Sequence, residues 1–159
     1  MSGEAQTSKS EILLIGIGNG YRGDDRVGLV VARKLRNKCL PNTTVVEATG
    51  EGAALMEAWK GADTVILVDA VSSSAGPGTI HRFDAHVHRI PANLFRYSTH
   101  AFSVVEAIEL ARALGQLPPR LIVYGVEGKS FEAGTELSTE VETAAGELVE
   151  SVMQEVQSM

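Results

Sequence analysis

The sequence predicts a three-layer α/β domain built around a mostly parallel β-sheet, and two observations carry that prediction. Short apolar runs recur along the chain, and stretches with helical spacing of apolar residues separate most of them. Strands that alternate with helices form parallel sheets with helices on both faces. With 159 residues, of which 44% are hydrophobic, the chain has room for one domain with its own core.

Five segments are predicted to form strands, and their polarity indicates where each lies in the sheet. Residues 11–15 (EILLI) and 64–68 (TVILV) are continuous apolar runs, which is typical of strands buried on both faces. Residues 79–83 are more polar and fit an edge strand. Residues 44–47 and 121–124 complete the set.

Apolar residues at helical spacing predict four helices between and after these strands. The first begins near Val27. Ser103 with Glu106, and Thr139 with Glu142, are spaced as capping boxes at the starts of two later helices. The three later helices are predicted at residues 53–59, 103–114 and 139–156.

Charge and composition narrow the possible partners and the compartment. The chain has 20 acidic residues against 14 basic ones, so we expect no nucleic-acid partner. Residues 1–10 are predicted to be a flexible polar tail without a secretory signal, and no apolar run is long enough to cross a membrane. The single cysteine, Cys39, is expected to be partly buried at a helix end and suits a reducing compartment. We therefore expect a cytoplasmic protein with residues 11–159 as one domain.

Polar side chains follow the predicted strands at the edge where α/β sheets bind ligands. Asp24 and Asp25 come after the first strand, and we expect one of them to cap the next helix and the other to be free. Asp69 follows residues 64–68, where a buried charge would need a partner. His100 lies just before a predicted helix. An acid of the first pair, Asp69 and His100 are therefore expected to approach one another.

Two carboxylates and one imidazole form a ligand set that suits nickel, zinc or manganese. Three protein ligands leave coordination positions open for a substrate group or water. The competing candidate is His86-Val87-His88, with His81 nearby. Because these histidines flank the polar edge strand, we interpret them as a solvated face.

The glycine-rich turn after the first strand excludes common alternatives. Gly16-Ile17-Gly18-Asn19-Gly20 resembles the opening of a dinucleotide-binding fingerprint, but Tyr21 stands where the third glycine belongs. No phosphate-loop Gly-Lys-Ser/Thr follows, and no G-x-S-x-G nucleophile elbow is present. These absences argue against a dinucleotide site, a phosphate loop and a serine hydrolase.

Together with the residues that follow it, this turn closely resembles the N-terminal signature of the hydrogenase maturation proteases. The matching residues are Gly16-Ile17-Gly18-Asn19, Arg22-Gly23-Asp24-Asp25 and Val27-Gly28. The resemblance continues through Thr49-Gly50-Glu51-Gly52, the strand ending in Asp69-Ala70, Ser98-Thr99-His100, and Gly125-Val126-Glu127-Gly128 with Leu137-Ser138.

This resemblance implies a twisted, mostly parallel five-stranded sheet with helices on both faces. It implies an endopeptidase, metal-dependent or aspartate-type, that removes a C-terminal extension from the nickel-loaded large-subunit precursor of a nickel-iron hydrogenase. The family's metal-binding residues fall on Asp25, Asp69 and His100, which are thus expected to be catalytic and to recognise nickel supplied by the precursor. Zinc or cadmium could occupy the same site. The expected partner is that precursor, and the protein itself is expected to be a monomer.

The chain also departs from the family pattern. Arg26 stands where a glycine is common, Asp25 where some members have Glu, and the second loop lacks the usual Asp-Gly-Gly-Thr form. Two alternatives stay open at this point. One is a non-proteolytic metal-sensing binding protein or chaperone of the same fold, and the other is a metal-dependent hydrolase of another peptide or small molecule.

Overall fold

The structure, a computed structural model, describes residues 11–95, 100–134 and 136–159. The tail predicted at residues 1–10 lies outside the described residues. The chain forms one five-stranded sheet with the strand order β2-β1-β3-β5-β4. Its strands are β1 (Ile12–Ile17), β2 (Thr43–Ala48), β3 (Thr64–Val71), β4 (Ile80–Asp84) and β5 (Arg120–Glu127).

The sheet is mostly parallel, as predicted. Strands β2, β1, β3 and β5 run in the same direction, and only β4 is antiparallel to its neighbour β5. Strand β4 is the polar strand predicted at residues 79–83, and it lies at an edge of the sheet. Strand β3 lies at the centre, which explains why every one of its residues is buried.

Helices cover both faces of the sheet, and this confirms the three layers. Helices α1 and α4 pack on one face, and α2 and α3 pack on the other. Alternate residues of β3 contribute to the two cores, since Ile66 and Val68 pack with α1 and α4, whereas Leu67 packs with α2 and α3. The helices are α1 (Val27–Arg36), α2 (Gly52–Ala58), α3 (Val104–Ala113) and α4 (Thr139–Gln157).

Two glycines allow helix α1 to pack directly on the backbone of β1. A Cβ atom on Gly16 would lie 2.1 Å from the carbonyl oxygen of Gly28, and one on Gly28 would lie 2.1 Å from the carbonyl oxygen of Ile17. Neither position can hold a side chain without moving backbone. The close approach holds the start of α1, and the short 3₁₀ turn Gly23–Arg26 before it, against the carboxyl end of β1.

Two predicted caps are wrong. Neither Asp24 nor Asp25 caps α1, because the 3₁₀ turn leads directly into the helix and its cap position is Arg26, which makes no side-chain cap bond. The capping box predicted at Thr139 and Glu142 does not form either. Ser138 is the N-cap of α4, and its hydroxyl donates to Asp24 Oδ2 at 2.9 Å.

Two other local predictions have opposite outcomes. The capping box of α3 is confirmed, because the backbone N–H of Ser103 donates to Glu106 Oε1 at 3.0 Å. Cys39 was expected to be partly buried, but it is exposed. It follows the end of α1 with φ of 51°, and this left-handed conformation turns the chain away from the helix.

Candidate active site

All three residues predicted to form the site line one cavity of about 420 Å³. The cavity lies beyond the carboxyl ends of β1, β2 and β3, where parallel sheets bind ligands. Asp25 and Asp69 contribute its carboxyl groups and His100 its imidazole, and Tyr21 also lines it. Apolar side chains form much of the remaining wall, among them Ile17, Val71, Leu94, Phe95, Val104 and Phe131.

Asp25 reaches the cavity from the 3₁₀ turn after β1. Burial of this half-buried carboxyl raises its pKa above the usual value, and two neighbours oppose that shift. The backbone N–H of Asn19 and the positive charge of Arg22 both lower the pKa of this carboxyl. The result is a carboxyl group that water partly reaches and that protonates more readily than an exposed Asp.

Asp69 reaches the cavity from within β3, which extends beyond the predicted end of the strand to Val71. Only 8% of Asp69 is exposed. Burial raises the pKa of its carboxyl well above the usual value, and the negative charge of Asp25 raises it further. The one hydrogen bond that opposes the shift comes from the backbone N–H of Ala70, at 2.8 Å. The buried carboxyl therefore favours its protonated form more strongly than Asp25 does.

His100 precedes helix α3 and is half-buried at the cavity wall. The backbone N–H groups of Ala53 and Ala54 lower the pKa of Glu51, and His100 makes a smaller electrostatic contribution in the same direction. The two chain segments are also joined directly, since the N–H of Gly52 donates to the carbonyl of Phe102 at 2.8 Å. Glu51 is thus an acidic neighbour of His100 that sequence reasoning did not single out.

The three residues share a cavity without forming a preassembled metal shell. Across residues 11–95, 100–134 and 136–159, no three His, Cys, Asp or Glu side chains are grouped so that they could hold an ion. The shared cavity is therefore established, whereas direct convergence of Asp25, Asp69 and His100 on one ion stays a prediction.

Asp24 has a structural role that sequence reasoning missed. It is fully buried, and its carboxylate accepts hydrogen bonds from the backbone N–H groups of Lys129 at 2.7 Å, Ser130 at 3.0 Å and Ser138 at 2.7 Å. With the Ser138 hydroxyl, these bonds tie the turn that carries Asp25 to the loop between β5 and α4. That loop places Phe131 in the cavity wall.

Comparison with known proteins identifies the family. The family model described as hydrogenase maturation protease matches residues 29–155 of the chain. The chain belongs to the hydrogenase maturation protease family. A Methanocaldococcus jannaschii protein assigned as a hydrogenase maturation protease is 34% identical over 154 residues, which cover 93% of this chain and 97% of that protein. The hydrogenase 2 maturation protease of Escherichia coli is 27% identical over 146 residues, covering 89% of this chain and 88% of that protein.

Solved structures confirm the fold of this hydrogenase maturation protease. An Escherichia coli endopeptidase solved in solution superposes with a TM-score of 0.77 and 26% identity over 89% of each chain. The hydrogenase maturation protease HybD of Thermococcus kodakarensis superposes with a TM-score of 0.71 and 23% identity, over 92% of this chain and 99% of that one. Membership of this family makes the chain a peptidase, and hence a hydrolase.

The competing histidines of this hydrogenase maturation protease make structural hydrogen bonds instead. Nε2 of His81 lies 3.1 Å from Oε1 of Glu127, and Nε2 of His86 lies 2.7 Å from the carbonyl oxygen of Pro118. Nδ1 of His88 accepts from the backbone N–H of Asp84 at 3.1 Å. None of the three histidines lines the cavity that contains Asp25.

In the part of the chain that the structure describes, no helix is both long and apolar enough to cross a bilayer.

Proposed function

We propose that this protein is the endopeptidase that removes a C-terminal extension from the nickel-loaded large-subunit precursor of a nickel-iron hydrogenase. The observation that carries the proposal is that Asp25, Asp69 and His100, which are remote in sequence, line a single cavity. Membership of the hydrogenase maturation proteases supports the reaction. The exposed, unpaired Cys39 is compatible with a monomer acting in a reducing cytoplasm.

Nickel enters this scheme as part of the substrate. Asp25 and Asp69 would offer oxygen ligands and His100 a nitrogen ligand to an ion that the precursor already holds, which is a donor set that suits nickel. The electrostatics of the cavity support this role, because two carboxyl groups with raised pKa values form a site that a dication would relieve. Zinc or cadmium would compete for the same donors.

Recognition of the ion would compete with protonation of Asp69. Burial raises the pKa of this carboxyl in the free protein, whereas a metal ligand must be ionised. A precursor without nickel would therefore leave the pKa of Asp69 raised and the two carboxyl groups without a shared cation. In this proposal, a mature precursor differs from an immature one in whether its nickel is bound by the carboxyl groups of Asp25 and Asp69.

Hydrolysis adds water across the scissile peptide bond. The water oxygen bonds to the carbonyl carbon, the C–N bond breaks, and a proton passes to the leaving amine. The half-buried Asp25 has the smaller pKa shift of the two acids, so it is the carboxylate that would take the proton from water. The other source of the nucleophile is water bound to the substrate's nickel.

The test is cleavage of purified precursor, loaded with nickel or free of it, followed by mass spectrometry. We expect the wild-type protein to shorten only the nickel-loaded precursor, and Asp69→Asn and His100→Ala to lose at least about 100-fold in rate. Asp63→Asn, a change outside the cavity, is the matched control. Wild-type rates in both site variants would refute the assigned roles. An unchanged precursor mass together with tight binding would instead indicate a non-proteolytic binding protein.

A further inference from the structure

The glycine-rich turn after β1, which does not match a dinucleotide-binding fingerprint, contributes one polar residue, Asn19, to the cavity of Asp25 and Asp69. Asn19 follows β1, is half-buried, and lines the cavity together with Asp25 and Asp69. It also contacts Asp25 through its backbone, because its N–H donates to the carbonyl oxygen of Asp25 at 3.4 Å. Asn19 is therefore adjacent to the carboxylate proposed to take the proton from water.

The orientation of the Asn19 amide follows from a hydrogen bond that its side-chain oxygen accepts. The backbone N–H of Tyr21 donates to Asn19 Oδ1 at 2.9 Å. Because an N–H donor requires the oxygen of the amide, the nitrogen of that amide must occupy the other position. Within the described residues, Nδ2 makes no hydrogen bond. Nδ2 is nevertheless not buried, because Arg26 Nε is the only buried side-chain nitrogen or oxygen without a hydrogen-bond partner in that part of the chain. Two N–H donors are thus available on an accessible atom of a residue that lines the cavity.

We propose that the Asn19 side-chain amide is a catalytic residue that stabilises the oxyanion of the hydrolysis intermediate, an inference that rests on the proposed function. When water adds to the scissile carbonyl, the carbonyl π electrons move to oxygen, and that oxygen becomes negative. An N–H donor fixed in advance stabilises this charge more than it stabilises the neutral carbonyl. When the C–N bond breaks, the electrons return to re-form the carbonyl, and the leaving nitrogen takes the proton.

The surroundings of Asn19 supply the rigidity that such a donor requires. Its side chain is fixed by Tyr21, whose carbonyl in turn accepts from the N–H of Gly134 at 2.7 Å. The N–H of Gly18, the preceding residue, donates to the carbonyl of Ala48 at 3.0 Å. The turn is therefore hydrogen-bonded to β2 on one side and to the loop after β5 on the other, which limits its movement when charge develops.

The decisive variant is Asn19→Asp, which keeps the oxygen that accepts from Tyr21 and replaces the donor with an anion. Single-turnover cleavage of the nickel-loaded precursor gives the rate, and titration with the same precursor gives the dissociation constant. We expect the rate of Asn19→Asp to fall by at least about 100-fold, with a dissociation constant within about threefold of wild type. Asn37→Asp makes the same chemical change at the exposed end of α1 and should leave both values unchanged.

Asn19→Ala is the second variant. It removes both the oxygen acceptor and the N–H donors of the side chain without adding charge. We expect it to lose rate to a similar extent, with circular dichroism and thermal unfolding reporting any change in the fold. Wild-type rates in Asn19→Asp would overturn the oxyanion role while leaving the proposed endopeptidase intact. If the wild-type protein itself left the nickel-loaded precursor uncut, the proposed function would fail, and the role of Asn19 with it.

Discussion

The carboxyl groups of Asp25 and Asp69 line the same cavity, and the negative charge of Asp25 is, after burial, the second cause of the raised pKa of Asp69. Two like charges in a partly buried site destabilise the folded protein unless a proton or a cation is shared between them. The carboxyl groups of Asp25 and Asp69, which the proposed function requires, therefore lower the stability of the fold.

The first prediction concerns stability. Asp69→Asn should raise the free energy of unfolding at pH 7 by on the order of 1 kcal/mol, because the amide avoids the cost of burying a carboxyl group whose pKa rises on folding, and it keeps an oxygen for the N–H of Ala70. The same variant should lose cleavage activity. Urea unfolding monitored by circular dichroism measures the change. A loss of stability would mean that the ionised carboxylate has a stabilising partner in the cavity.

The second prediction is that the effect of Asp69 on the free energy of unfolding depends on pH. A raised pKa in the folded state means that the folded protein binds the proton more tightly, so the contribution of Asp69 is favourable below the usual Asp pKa of 3.8 and is lost as pH rises through the raised value. The stability of the wild-type protein should thus fall relative to Asp69→Asn from about pH 4 upward. Unfolding curves for both proteins between pH 4 and 8 test this. A pH-independent difference would exclude proton linkage at Asp69.

The shared cavity of Asp25, Asp69 and His100 could be predicted because it depends on order along the chain. Parallel strands bring their carboxyl ends to one edge, so residues that follow different strands meet there regardless of the intervening sequence. The role of Asp24 could not be predicted in the same way. Its partners Lys129, Ser130 and Ser138 are more than 100 residues away, and no spacing rule relates a carboxylate to backbone N–H groups of a distant loop.

The same limit explains the wrong caps. Asp24 is a good capping residue by type, and its position before α1 is suitable, but three backbone donors from another loop bind it instead. The Ser138 hydroxyl is likewise bonded to Asp24 and unavailable to cap its own helix. Local capping rules fail here because a tertiary contact offers the same groups a better partner.

The third prediction tests that contact. Asp24→Ala should lower the free energy of unfolding by about 3 kcal/mol, because it leaves the donors of Lys129, Ser130 and Ser138 without their acceptor. Cleavage should fall as well, since the turn that carries Asp25 loses its anchor. Asp63→Ala is the control. Among the described residues, the Asp63 side chain accepts one hydrogen bond, from the N–H of Glu11 at 3.3 Å, and that loss should cost less than about 1 kcal/mol. Equal losses in the two variants would contradict the anchoring role.

The fourth prediction concerns acid stability at the opposite side of the molecule. Glu155 accepts from Arg82 at 2.8 Å, Arg120 at 3.0 Å and the Tyr124 hydroxyl, and these contacts lower its pKa to about 2. Because the pKa of Glu155 is lower in the folded state, its ionised carboxylate stabilises the fold at pH values above the usual pKa of 4.5. That contribution is lost as the pH falls toward 2. Glu155→Gln should cost about 2 kcal/mol at pH 7 and progressively less below pH 4.

A control on the same helix distinguishes this cluster from a general effect of net charge. Glu150→Gln removes one exposed acid from α4 and should change stability by less than about 0.5 kcal/mol across the same pH range. Chemical unfolding of both variants from pH 2.5 to 7 provides the comparison. The prediction fails if the two variants show the same pH profile.

The last prediction tests whether the position of His100 depends on the α2–α3 contact. A Cβ atom on Gly52 would lie 2.5 Å from the ring of Phe102 and 3.0 Å from its carbonyl oxygen, so Gly52→Ala must displace the segment that follows His100. Because small displacements of a catalytic group are costly, we expect kcat/KM for the nickel-loaded precursor to fall by at least about tenfold. Gly146→Ala in α4 meets nothing within 4 Å and should stabilise the fold by about 0.5–1 kcal/mol with unchanged activity. Full activity in Gly52→Ala would mean that cleavage does not require His100 to be held where this contact holds it.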